Sequence, residues 1–378
     1  MPYWRLSSFY FFYFAVLGLL APYWGLYLKS LGYDAVDIGI LMAIPMATKI
    51  IAPNIWGWLG DHYGHRMRIV RIASFASMMI FTLIFVVNGF WMMAIAMILF
   101  SFFWNAALPQ FEVTTLAYLG EQVKQYSRVR VWGSIGFIVA VIVLGILIDE
   151  IGITVVPISI FLVYLAIWLS SLTVPETTVN EESDSDHTFL QKLKQPAIIA
   201  FLTAAMLMQF SHGAYYAFYS IYMEDHGYSK TLIGQFWALG VFAEVLIFIY
   251  MHHVLQKTGA GMVIIISLLL ASLRWLMIGW LPDSLLMLLI AQVLHAATFG
   301  TFHAAAIHIV HRAFKGRHQG RGQAIYASIS FGIGGSIGSL VAGNLWETAG
   351  PQWTFTLSAL VAGVAAFVAW KWHDRQFF

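Results

Sequence analysis

Long apolar stretches follow one another along this chain with only short polar breaks, and each is long enough to cross a bilayer. A spanning helix needs about 20 predominantly apolar residues. On that measure the sequence predicts helices at roughly 7–29, 36–58, 69–88, 91–118, 129–150 and 152–173, then at 196–223, 230–256, 261–281, 284–311, 319–346 and 352–372. The 378 residues are 60% hydrophobic and only 10% charged. Soluble domains carry about 25% charged residues, so this chain cannot cover a soluble surface. The expected fold is all-α and integral to the membrane, with about twelve transmembrane helices in two six-helix halves. The halves run over 1–174 and 196–378, with a linker at 175–195. That linker holds Glu176, Glu181, Glu182, Asp184 and Asp186 and reads as flexible. The first apolar stretch, from Ser7 to Leu28, is long enough to span and lacks a cleavage-site pattern, so it is expected to be retained as a helix.

Lys and Arg in the breaks set the orientation. One side takes fifteen, among them Arg5, Arg66, Arg68, Arg71, Lys124, Arg128, Lys257, Arg312, Arg317 and Arg375, while the other takes Lys29 and Lys230. Both termini and the linker are therefore expected in the cytoplasm, which fits an even number of helices. Aromatic residues gather near segment ends, as in an interfacial belt. A net charge of +2 gives no reason to expect nucleic acid, and the absence of cysteine excludes disulfides, thiol catalysis and Cys-ligated metals. The sequence has no ATP-binding loop. No cofactor is expected.

Five charged residues fall inside the apolar stretches: Lys49, Glu112, Arg130, Glu244 and Arg274. A charge at the centre of a bilayer costs at least about 2.5–3.5 kcal/mol on insertion scales, so such residues face a partner or a cavity and mark function. Three are basic and two acidic, and the surplus positive charge points to an anionic solute. Lys49 stands twelve residues from both Asp37 and Asp61. That is about 18 Å of helix on each side, hence mid-bilayer. Glu112 and Arg130 open onto a short connection, so their helices are antiparallel neighbours and an ion pair is geometrically possible. Such a pair leaves Lys49 without an evident acid in its own half, and a carboxylate ligand supplies the missing charge. The competing reading is that Lys49 snorkels or is neutral. Tyr23, Trp24, Tyr27, Trp104, Tyr215, Tyr216, Tyr219 and Trp275 offer rings for stacking on a ligand, or serve packing and the belt. His212 and His295 titrate in a useful range and are proton-relay candidates or hydrogen-bonded core residues. His308 and His311 share a helix face but lack a third ligand, so no metal site is expected. The glycines at 332, 334, 335, 338 and 343 read as close helix packing.

Between the second and third helices, Gly57-Trp-Leu-Gly-Asp61-His-Tyr-Gly64-His-Arg66 fits G-x-L-x-D-x-x-G-x-R. Positive-inside chemistry explains the arginines but not the Gly-Asp-Gly spacing. Asp61, at a helix end, can meet a helix N-terminus or a neighbouring Arg. The pattern resembles the signature loop of the major facilitator superfamily, which implies the major facilitator fold and a gating-latch role for Gly57, Asp61, Gly64 and Arg66. Asn105-Ala-Ala-Leu-Pro109-Gln-Phe-Glu112 and Arg130-Val-Trp-Gly133 resemble the lactose permease branch of that superfamily. That resemblance implies substrate binding by Glu112 and Arg130 and proton coupling by Glu244, Arg274 and His295. Where the branch has a second Glu, this chain has Thr298. The segments His212–Tyr222, Leu239–Val245, Arg274–Gly279 and Leu294–Phe299 resemble the 3-phenylpropionate permease family.

These resemblances imply a proton-coupled permease for a small organic solute, an aromatic carboxylate such as 3-phenylpropionate, working by alternating access between two halves with binding near the midplane. Lys49, Glu112, Arg130, Tyr215, Tyr216 and Trp275 are the expected substrate residues. The expected partners are the solute, protons and the lipid bilayer, in a bacterial inner membrane, with the chain a monomer. Two alternatives stay open: a neutral sugar or nucleoside symporter, and a non-transporting membrane sensor. An exporter of lipophilic cations has no use for surplus positive charge. An enzyme requires a nucleophile–base set or metal cluster at one membrane face, whereas these charges spread over both halves.

Overall fold

The computed structural model describes residues 2–177, 187–315 and 318–372. Glu181, Glu182, Asp184, Asp186, Arg317 and Arg375 lie outside the described residues, as does the side chain of Lys124. Among the described residues all regular structure is helical. Six long helices come first: α1 (Tyr3–Ser30), α2 (Ala35–Tyr63), α3 (Arg66–Phe85, ending in a 3-10 turn), α4 (Phe90–Leu119), α5 (Tyr126–Ile151) and α6 (Val155–Thr173). A short helix, α7 (His187–Leu193), falls in the stretch read from sequence as a flexible linker. Six more follow: α8 (Pro196–Asp225), α9 (Lys230–Thr258), α10 (Ala260–Trp280), α11 (Leu285–Ala313), α12 (His318–Ala349) and α13 (Pro351–Trp372). Twelve of these thirteen are long and apolar enough to cross a membrane. The α7 helix forms because Phe189 has somewhere to go: its ring packs 5.2 Å from Phe314, and the Arg321 guanidinium lies 4.8 Å over it.

Local chemistry explains the helix ends. Asp34 caps α2, its carboxylate accepting from the Asp37 amide at 2.8 Å. Gly64 ends α2 with φ +67°, a conformation that costs other residues a Cβ clash, and its amide donates to Gly60 O. Prolines at 22, 45, 53 and 109 sit inside α1, α2 and α4. Spanning helices tolerate them because neighbouring helices re-satisfy the freed backbone groups. Two π-helical turns, Ala296–Gly300 in α11 and Ser328–Gly334 in α12, were not legible as helix irregularities in the sequence.

The chain clusters into two units. The first holds α1–α6 and Tyr228–Ala238, the opening turns of α9, while the second holds the rest of α9 with α7, α8 and α10–α13. Within the first, α1 packs on α5 and α6, α3 on α4 and α6, and α2 on α4. Within the second, α8 packs on α12 and α13, and α10 on α11 and α13. The first helix of each set thus packs on the fifth and sixth, and the third on the fourth and sixth. Glycine permits the tightest crossings. A Cβ on Gly18 would lie 2.7 Å from the Phe137 carbonyl, and one on Gly334 or Gly338 would strike the α8 backbone at Met206 or Phe210. The packing role expected for the α12 glycines is what these two positions show.

Polarity is distributed as hydrocarbon demands. Leu360, Ile249 and Phe367 are more than half exposed, whereas Arg274, His212 and Gln292 are fully buried. A soluble protein buries the first group and exposes the second.

Candidate functional site

In the first unit, the polar centre is built on α4 and α5. Tyr126 donates to Glu112 at 3.3 Å. Arg130 lies flat on Phe14, its guanidinium carbon 3.8 Å from the ring centroid, with Tyr10 at 5.6 Å. Gly133 makes that stack possible, because a Cβ there would stand 2.8 Å from both Arg130 Nη1 and Phe14 Cδ2. This is the physical content of the Arg-x-x-Gly spacing. Among the described residues no carboxylate lies within salt-bridge distance of Arg130. The Glu112–Arg130 ion pair considered from sequence is therefore not a direct contact. An aromatic face holds the cation where the acid was expected to, and Phe14 and Tyr126 are the residues that sequence reasoning missed. Glu112 is correspondingly not consumed by Arg130, which removes the premise that left Lys49 without an acid. Lys49 projects half-buried from the middle of α2 with its ammonium 3.7 Å from Met46 Sδ. Beside it, Asn105 donates to Pro45 O at 3.0 Å and to Thr48 Oγ1 at 2.8 Å, tying α4 to α2.

The loop motif forms one network. Arg66 is buried and meets Asp61 at 2.5 Å and Gln110 Oε1 at 2.9 Å. Of the two partners foreseen for Asp61, the neighbouring Arg is the one it takes. Gly60 is where Gln110 crosses α2, and a Cβ there would collide with the amide. Glu176, read from sequence only as part of the acidic linker, has a defined place. Its two carboxylate oxygens accept from the Met67 and Arg68 amides at 2.8 and 3.1 Å, capping α3. A lone Glu in an acidic stretch carries no signal of that role. Arg71 completes the end by donating to Val174 O at 2.6 Å.

The second unit places Tyr215, Arg274, Trp275, Gln292, His295 and Glu244 together. The Arg274 guanidinium lies 4.3 Å over Tyr215 and 4.6 Å over Trp275. Its Nε donates to Ala291 O at 2.8 Å and its Nη2 reaches Gln292 Oε1 at 3.5 Å, the same oxygen that accepts from Tyr215 at 2.8 Å. Glu244 and His295 form a pair, 3.7 Å apart. Gly300 leaves room for Glu244, since a Cβ there would lie 2.7 Å from its Cγ. Thr298 turns its hydroxyl back to His295 O at 3.3 Å inside the π-helical turn. Of the three residues expected to form a relay, Glu244 and His295 are thus in contact. Arg274 is held instead by Gln292 and two aromatic faces. Gln292 went unnoticed in the sequence because an uncharged amide in an apolar helix gives little warning of function.

The aromatic residues sort by contact. Tyr215 and Trp275 stack on Arg274, and Trp104 stacks on Tyr13 with 5.4 Å between centroids. Trp24 donates to Met97 Sδ at 3.5 Å. Tyr23 lies at a crossing of α5 with the start of α9. Its hydroxyl donates to Val141 O at 2.7 Å and also lies 3.3 Å from Lys230 O. A Cβ on Gly145 would stand 2.6 Å from Lys230 O, and one on Gly234 would stand 2.6 Å from Val141 O. Asp149 then caps α9, accepting from the Lys230 amide at 3.1 Å and from the Thr231 amide and hydroxyl at 2.8 and 2.7 Å.

Among the described residues, twelve helices long and apolar enough to span, repeated packing in two sets and cations held on aromatic faces inside apolar helices are the marks of a polytopic membrane protein. The chain belongs to the MFS_1 like family, whose model matches residues 3–357, and so is a transporter of the major facilitator type. It is 28% identical over 370 residues to the "Probable 3-phenylpropionic acid transporter" of Escherichia coli (strain K12), covering 95% of each chain. It is 22% identical to the "Maltose permease" of Geobacillus stearothermophilus, covering 97% of this chain and 94% of that one. Among solved structures, that of the nucleoside transporter NupG matches with a TM-score of 0.84 at 18% identity, covering the whole of both chains. That last likeness is one of fold.

Proposed function

We propose that this transporter carries a small aromatic carboxylate together with protons, by alternating access, in a bacterial inner membrane with both termini in the cytoplasm. The observation that carries the reading is the state of the two membrane arginines. Arg130 and Arg274 each lie against aromatic rings, and neither is neutralised by an ion pair among the described residues. A guanidinium presents a planar fork that matches a carboxylate, and the rings around it suit an aryl group. Lys49 is a further candidate cation of the first unit. The similarity to a probable 3-phenylpropionic acid transporter of Escherichia coli supports the same class of solute. In this reading Glu112 and Tyr126 tune the Arg130 site, and the Glu244–His295 pair passes the proton. The Asp61–Arg66–Gln110 network, with Glu176, latches the Lys- and Arg-rich end of the helices.

Thermal stability of the purified chain against a ligand panel tests this. A ligand that binds only the folded state raises the midpoint by mass action, by about 2.7 kcal/mol of stability at a hundred times its Kd. Stabilisation by aromatic carboxylates and not by their methyl esters, lost in Arg130→Gln and Lys49→Ala, is the expected result. Stabilisation by sugars or nucleosides instead, indifferent to these residues, overturns it in favour of a neutral solute. Glu244→Gln is expected to abolish accumulation driven by a pH gradient while leaving exchange of solute across the membrane. Loss of both in a folded variant places Glu244 in binding.

A further inference from the structure

One buried polar cluster of the second unit contains more chemistry than a proton relay uses. His212 on α8, Arg274 on α10, and Gln292 and His295 on α11 are between 0 and 5% exposed. Each has a buried polar atom without a hydrogen-bond partner in the protein: His212 Nε2, Arg274 Nη1, Gln292 Nε2 and His295 Nδ1. Buried polar atoms are normally satisfied, so four in one cluster call for a ligand. The bonds these side chains do make fix which of the four donate. His212 Nδ1 lies 2.9 Å from the Met208 carbonyl. A carbonyl only accepts, so Nδ1 carries the hydrogen and Nε2 presents a lone pair. Gln292 Oε1 is taken by Tyr215 and Arg274, which leaves Nε2 as a donor. Arg274 Nη1 can only donate. Ring contacts join the set. Trp275, under the guanidinium, meets the His212 ring edge-on at 4.7 Å, and Tyr215 faces His295 at 6.1 Å.

We propose that this cluster binds one carboxylate together with one proton, with Arg274 Nη1 and Gln292 Nε2 donating to the anion and His212 Nε2 taking the proton. The inference rests on the carboxylate–proton reading above and assigns its coupling step to named atoms. A proton alone adds a second positive charge to a cluster that already holds Arg274, and among the described residues His212 touches no carboxylate. An anion alone meets the His212 lone pair. Both together add no net charge, and the carboxylate gains a third donor. The other titratable groups around the cluster are Tyr215, Tyr216 and Tyr219 of α8, His295 of α11 and Glu244 of α9. Glu244 contacts His295. His295 therefore already has an internal carboxylate beside it, and His212 does not. That difference assigns the obligatory coupling to His212. The carboxylate is either that of the transported solute or a free small anion.

Titration calorimetry on the purified chain in lipid nanodiscs, with 3-phenylpropionate, formate and neutral 3-phenylpropanol, tests the proposal. Runs across about pH 5 to 8, where histidine titrates, in two buffers of different ionisation enthalpy count the protons taken up. The wild type is expected to take up about one proton per carboxylate, with affinity falling about tenfold per pH unit once His212 is neutral. His212→Asn keeps an N–H for Met208 O and removes the titrating nitrogen. It is expected to bind with no proton uptake and no pH dependence. Arg274→Gln is expected to lose carboxylate binding. Gln292→Glu, which installs a carboxylate among the same donors, is a second route to that loss should Arg274→Gln not fold. Proton uptake unchanged in His212→Asn, or wild-type affinity in Arg274→Gln or Gln292→Glu, overturns the proposal. A wild type that binds no carboxylate overturns the functional reading as well, whereas wild-type binding indifferent to both residues overturns only this inference. Formate bound with the same dependence on Arg274 identifies a free-anion site. Binding of 3-phenylpropionate without formate identifies the solute's own carboxylate.

Discussion

Gly133→Ala and Arg130→Lys test how the first-unit cation is held. In the structure the guanidinium rests on Phe14 at 3.8 Å, in the space that Gly133 leaves. An alanine methyl would lie 2.8 Å from Arg130 Nη1 and from Phe14 Cδ2. Relief to an ordinary contact of about 3.4 Å requires each of these side chains to move by roughly 0.6 Å. Both are side-chain atoms, so the helix survives and the stack slips. A cation–π contact is worth about 0.5–2 kcal/mol, and a hydrogen bond to a charged group about 1.5–3 kcal/mol. Arg130→Lys keeps the charge but gives up the planar fork, so the second figure applies to it and the first to Gly133→Ala. At 1.4 kcal/mol per factor of ten, KM for an aromatic carboxylate should rise about 10- to 100-fold in Arg130→Lys and about 2- to 30-fold in Gly133→Ala. Initial uptake rates into proteoliposomes under an imposed pH gradient measure this, with the unfolding midpoint as a control. Wild-type KM in both variants, or as large a loss for a methyl ester of the same acid as for the acid, would show that the Phe14 stack does not hold a carboxylate-binding cation.

Three further outcomes follow from particular contacts. Glu176→Ala removes the cap of α3 and should lower stability by about 0.5–2 kcal/mol. A lowered melting midpoint with unchanged solute affinity agrees with that, and an unchanged midpoint does not. Gly145→Leu should force the opening turns of α9 away from α5, where the Lys230 carbonyl and Tyr23 hydroxyl now stand 2.6 Å from the Cβ position. The chain has no cysteine. A single Cys at Thr231 therefore reports the change cleanly, as faster maleimide labelling, and equal rates in the two backgrounds count against it. Thr298→Ala should leave gradient-driven uptake intact, because the hydroxyl is turned to His295 O; loss of coupling in that variant makes Thr298 part of the proton path.

The spans and their number were readable because hydrocarbon thickness imposes a length and composition that nothing else in the chain has to meet. The loop motif was readable for a similar reason, since Gly64 needs its positive φ and Arg66 needs Asp61. What the sequence hid was the way charges are held. Opposite charges on neighbouring helices suggested an ion pair at Glu112 and Arg130, yet Phe14, one of many phenylalanines on α1, holds the cation. Gln292 and Glu176 were hidden for opposite reasons. One is an uncharged amide that matters only because Arg274 and Tyr215 converge on it, and the other is an acid among acids whose partners are backbone amides more than a hundred residues away in the chain. The π-helical turn after His295 left no mark in Ala-Ala-Thr-Phe-Gly, where the one glycine, Gly300, leaves room for Glu244.

On the proposed function, a carboxylate and a proton cross together. Proteoliposomes with an acidic exterior, loaded with no solute and given labelled 3-phenylpropionate outside, measure it directly. A label that accumulates faster than in protein-free vesicles, leaves again on adding a protonophore and enters Glu244→Gln vesicles no faster than protein-free ones is the result expected. Since the protonated acid also crosses lipid unaided, the comparison is with protein-free vesicles and with the Arg130→Gln variant. Uptake no greater than in those controls, with sugar or nucleoside accumulating instead, contradicts the claim.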